Sequence, residues 1–131
     1  MKKQVTQWLK YAEIDLLSAE KLLDDKNLTQ SVAFHSHQTA EKSFKAILED
    51  RSIRIPKSHD LEKLYGMILK EGIKLVLDED ILSQINDVYI DSRYPGDAGL
   101  IPQGIPSTEK AKEFFKAAKV IYEKVLNIVS K

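Results

Sequence analysis

The run Ser31 to Leu48, SVAFHSHQTAEKSFKAIL, constrains this chain more than any other stretch. At about 100° per residue on a helix, Ala33, His37, Ala40, Phe44 and Leu48 share one narrow apolar stripe. Glu41 and Lys45 lie one turn apart on its margin, where a carboxylate and an ammonium can pair. His35, Thr39 and Lys42 project from the opposite side. The small residues at 33 and 40 admit a close neighbouring helix, with Phe44 and Leu48 filling the space beyond. The rest of the chain therefore reads as packing around a central helix.

A helix before it is predicted over Val5 to Leu23, where Val5, Leu9, Ala12, Leu16, Ala19 and Leu23 keep helical period. Tyr11, Ile14 and Leu22 add a second apolar stripe on its far side, either scattered exposed residues or a dimer or partner face. Asp24 to Asn27 is turn material that returns the chain antiparallel into the central helix. Beyond Asp50 the chain breaks at Ile55-Pro56, because the residue before proline avoids helical geometry. Ser58 or His59 is then placed to cap a third helix carrying Leu61, Leu64, Tyr65, Ile68 and Leu69, which Gly72 stops. A fourth helix is expected from about Asp78 to Arg93, opened by the acidic trio Asp78-Glu79-Asp80. Tyr94 to Pro106 holds three of the four prolines and three of the five glycines and is read as a loop. Ser107 caps a last helix with Ala111, Phe115, Ala118, Tyr122, Val125 and Val129 in period. No segment alternates like a strand. The expected fold is all-α, an antiparallel up-and-down bundle of four to five helices forming a single domain over residues 1–131.

Twenty basic and twenty acidic residues cancel, so contact with an anionic ligand must come from local patches. The absence of cysteine excludes disulfides, thiolate metal sites and a cysteine nucleophile, and suits a reducing cytoplasm. No apolar run approaches the roughly 20 residues of a membrane span, and the N-terminus meets acidic residues too early for a signal peptide. A cytoplasmic protein with no cofactor is expected. His35 and His37, two apart on a helix, project about 200° from each other and cannot chelate one metal ion. His37 by itself reads as a core or interface histidine bonded to a neighbour. Two clusters invite chemistry. Arg51, Arg54, Lys57 and His59 form a basic linker that either receives a phosphate or is a solvated turn. Asp91, Arg93, Tyr94 and Asp97 stand at the mouth of the long loop, where Arg93 can fork to a phosphate or to a carboxylate and Tyr94 offers a ring and a hydroxyl.

Taken in order, AEIDLLSAEKLL, FHSHQTAEKSFKAIL, PKSHDLEKL and DSRYPGD before a closing helix resemble the HEPN domain family over nearly the whole chain. The resemblance implies a helical bundle, a homodimer, and a connection to nucleotide or RNA. It also implies a minimal nucleotidyltransferase, encoded as a separate chain, as partner in a toxin-antitoxin-like module. On that reading Arg93 is the principal phosphate contact, Tyr94 the base or ribose contact, and Lys45 and His37 secondary lining, with Tyr11, Ile14 and Leu22 as the interface. Ribonuclease members of the family carry an arginine and, a few residues later, a histidine near the last helices. Here no histidine follows His59, and the pair that fits, Arg54 and His59 with four residues between, lies before the third helix. A metal-independent RNA endonuclease using Arg54 and His59 is therefore the alternative, and a purely structural interaction module is the third.

Overall fold

The computed structural model describes residues 1–93 and 105–131, without the side chains of 90–93. Five helices are present: α1 (Lys3–Leu22), α2 (Thr29–Asp50), α3 (Leu61–Lys70), α4 (Glu79–Arg93) and α5 (Thr108–Val129). The described residues contain no strand, so the fold is all-α.

Helix α2 is the axis of the molecule. It packs against each of the other four helices, most extensively against α1 and then α5. Such a helix cannot have a solvated back. Besides the expected stripe, Ser36, Thr39, Ser43, Ala46 and Ile47 are buried as well. The side carrying His35, Thr39 and Lys42 faces α1, where the Thr39 hydroxyl lies 3.3 Å from the Ala12 carbonyl. The pairing is antiparallel: Lys2 Nζ, at the start of α1, donates to the Glu49 carbonyl near the end of α2 (2.9 Å). Phe44, Ile47 and Leu48 meet Leu61, Leu64 and Phe114 in one core. Burying a phenylalanine of this kind contributes about 2 kcal/mol from removal of apolar surface alone.

The helix ends follow local chemistry. Ser107 Oγ accepts from the Lys110 amide (3.0 Å), as its N-cap position predicts. Gly72, with φ of 78°, takes the left-handed conformation just past α3. Helix α2 closes with the Ile53 amide donating to the Leu48 carbonyl (2.9 Å), which puts Ser52 at φ 56°. The cap of α3 departs from expectation. Asp60, rather than Ser58 or His59, accepts from the Glu62 and Lys63 amides. This shift frees His59 from the helix end. No helix among the described residues is long and apolar enough to cross a membrane.

Candidate functional site

The site forms where the loop before α3 passes over the middle of α2. Glu41 is its pivot. Its carboxylate is about 5% exposed and engages two partners closely, with the Gln38 amide donating to Oε1 from 3.5 Å. Lys45 Nζ donates to Oε2 at 2.8 Å, the pairing one helical turn predicts. His59 Nδ1–H donates to Oε1 at 2.9 Å, although 18 residues separate the two in sequence. Burial alone would raise the Glu41 carboxyl, but the hydrogen bonds from Lys45 and His59 outweigh it and hold the group below its ordinary value. A carboxylate that stays ionised fixes the imidazole as the Nδ1–H tautomer and directs Nε2 away from it. The His59 side chain is 62% exposed, so that second nitrogen is presented to solvent.

The backbone that carries His59 is held from two sides. His37 Nε2–H donates to the His59 carbonyl at 2.9 Å. From α4, Asn86 Oδ1 accepts from the Leu61 amide (3.1 Å) and Asn86 Nδ2 donates to Asp60 Oδ1 (3.1 Å). His37 is fully buried and stacks flat on Tyr89, with ring centroids 3.8 Å apart. Burial drives its pKa down to about 4 despite the nearby Glu41 carboxylate. The imidazole is therefore neutral at pH 7, with Nε2 as donor and Nδ1 as acceptor toward the Gln38 amide at 3.3 Å.

The residues expected from the sequence fall unevenly around this pivot. His37 lies behind the surface, because Tyr89 and the His59 backbone cover it; it supports His59 and has no exposed area for a ligand. Lys45 is 9% exposed and committed to Glu41, with the Trp8 ring centroid 5.7 Å from its ammonium. Arg54 is exposed on the groove formed with Glu49, Ser52, Ile53 and Ile55, and neither it nor Lys57 pairs with a carboxylate among the described residues. Arg93 closes α4, but its side chain and that of Asp91 lie outside the description, as do the whole of Tyr94 and of Asp97. Tyr11 and Ile14 are each 47% exposed, whereas Leu22 is half-buried against a small cluster of Ala19, Val32, Ala111 and Phe115. Leu17, outside the stripe of Tyr11, Ile14 and Leu22, is 55% exposed.

A second carboxylate of similar design was not foreseen. Asp15 of α1 is 7% exposed, accepts from His35 Nδ1 at 2.8 Å, and takes a further bond from Lys42. Burial would raise Asp15, and those two partners together bring it below its ordinary value. His35 and His37 thus serve opposite sides of α2, and no group of three His, Asp or Glu among the described residues is arranged to hold a metal ion.

The HEPN domain profile matches residues 5–128 of the chain. No curated protein sequence matches it. Among solved structures, an archaeal HEPN homologue superposes with a TM-score of 0.71 at 26% identity, over 98% of this chain and 99% of that one.

Proposed function

The chain belongs to the HEPN domain family, and from that premise we propose that it binds the phosphate of a nucleotide or RNA through the surface around His59. It does so as a homodimer and as partner of a minimal nucleotidyltransferase in a toxin-antitoxin-like module. The observation that carries this reading is the buried Glu41 carboxylate holding a mostly exposed imidazole. Protonated, His59 donates from both nitrogens, one to Glu41 and one outward to a phosphate oxygen. Arg54, free of carboxylates among the described residues, adds a guanidinium five positions away. Arg93 as phosphate contact and Tyr94 as base or ribose contact are part of the same proposal. Glu41, Lys45 and His37 are positioning residues that hold His59 in place. The dimer face centres on Ile14 and Leu22 of the apolar stripe, with Leu17 added and Tyr11 at its edge.

The test is equilibrium binding of a fluorescent oligoribonucleotide in the presence of a chelator. His59→Ala should weaken binding about tenfold, in line with loss of one charge-assisted hydrogen bond, and cost about 2 kcal/mol of stability, because the buried Glu41 carboxylate loses a donor. Wild-type affinity in that variant overturns the role of His59.

One observation favours a second reading, metal-independent RNA cleavage. The Nδ1–H tautomer that Glu41 imposes leaves the Nε2 lone pair of neutral His59 outward, where it can take the proton of a 2′-hydroxyl. The 2′-oxygen would then bond to the adjacent phosphorus as the P–O5′ bond breaks, giving a 2′,3′-cyclic phosphate and a 5′-oxygen protonated from solvent, with Arg54 stabilising the charge on the phosphate. Intact RNA after incubation with concentrated protein contradicts this reading and leaves the binding role standing.

A further inference from the structure

An open groove beside the site has the composition of a nucleobase seat. It runs between the start of α1 and the end of α2 and is lined by Gln4, Gln7, Trp8, Tyr11 and Glu49. Two of the five are aromatic, two are amides, and one is a carboxylate. The Tyr11 ring is 47% exposed and Trp8 half-buried, so neither is spent wholly on the core. The Glu49 carboxylate has no ion-pair or hydrogen-bond partner among the described residues; of its oxygens only the carbonyl is engaged, by Lys2 and the Ser52 amide. Glu49 also borders the adjoining groove that carries Arg54, so the aromatic seat and the Arg54 groove share one wall. From the other side, Lys45 links the Trp8 ring to Glu41, and so to His59.

We propose that this groove receives a base of single-stranded RNA, stacked on Trp8 and Tyr11, while the strand's phosphate reaches Arg54. The proposal rests on the RNA reading above and extends it to a second subsite. Stacking on aromatic rings accepts any base. Selectivity comes from Glu49, which can only accept hydrogen bonds and therefore favours a base with an exocyclic amine over one presenting a carbonyl at that edge. Gln4 and Gln7 offer both donor and acceptor atoms. Tyr11 is thereby assigned to the nucleic acid, leaving Ile14, Leu17 and Leu22 for protein contact.

Trp8 is the only tryptophan in the chain, which makes its emission a reporter of this groove alone. Short oligocytidylate, titrated in chelator, should quench Trp8 saturably at the same midpoint as the anisotropy of a labelled copy. Tyr11→Ala, an exposed change that leaves the core intact, should weaken that binding about tenfold. Oligouridylate, the same size with a carbonyl in place of the amine, should bind several-fold more weakly, and Glu49→Gln should erase the difference. If the labelled strand binds and Arg54→Ala weakens it, yet Trp8 emission is unmoved and Tyr11→Ala binds normally, the base seat is overturned while RNA binding stands. If the strand does not bind at all, both readings fall. If Tyr11→Ala instead changes the mass of the protein in solution, the groove is a protein contact and the proposal is wrong.

Discussion

Two buried carboxylates in this molecule each take a hydrogen bond from a histidine and from a lysine, and do different work. Asp15 takes both from α2: His35 at 27% side-chain exposure and Lys42 at 26% close over it, and the result is a clamp between α1 and α2. Glu41 takes its lysine from its own helix at 9% exposure and its histidine from a loop at 62%. The lesson lies in where the histidine's backbone sits. On a helix packed against its neighbour, the imidazole completes an interface. On a loop fixed by His37 and Asn86, it is held at one nitrogen and offered at the other.

That contrast can be broken at either end. Glu41→Gln should have the largest effect, about 4 kcal/mol of lost stability by urea unfolding, because it leaves the Lys45 ammonium buried without its counter-charge. It should also lower oligoribonucleotide affinity, since His59 loses its anchor. A Glu41→Gln protein as stable as wild type would mean that the pair is not desolvated as the structure has it.

His37 sharpens the comparison through pH. The unfolded chain takes up a proton on this imidazole near 6.5, whereas the folded chain does so only at about 4. Stability should therefore fall as pH drops from about 6.5 to about 4, by roughly 3 kcal/mol in all, and then gain no further loss from this group. His37→Gln, which keeps a donor for the His59 carbonyl, should flatten that slope. An unchanged slope would place the sensitivity elsewhere.

The smallest of the three effects belongs to the clamp. Asp15→Asn should cost about 2 kcal/mol, as expected for weakening a partly buried charged network. It should leave oligoribonucleotide affinity unaltered. Loss of binding in Asp15→Asn comparable to that in Glu41→Gln would erase the distinction between clamp and site.

The parts legible in the sequence are those set by local periodicity and capping. The α2 stripe, the Glu41–Lys45 pair, the Ser107 cap and the Gly72 stop all depend on residues within a few positions of one another. The His59–Glu41 bond joins residues 18 apart across a loop, and no spacing rule announces it. Its one local sign was the basic linker, in which Arg54 and His59 stood out but the partner carboxylate did not. Asp15 was missed because an acid at the margin of an apolar stripe looks like a solvated residue until a second helix covers it. The α3 cap moved from Ser58 or His59 to Asp60 for a similar reason: Asn86, from another helix, engages the Asp60 carboxylate and the Leu61 amide together.

Of the three histidines, His59 alone is proposed to meet the ligand. Nitrogen-detected NMR of the three imidazoles during titration with a short oligoribonucleotide tests it most directly. A saturable shift of His59 Nε2, with His35 and His37 unmoved, is the predicted result. Equal movement at His35, or a silent His59 in a protein that binds the strand, contradicts it.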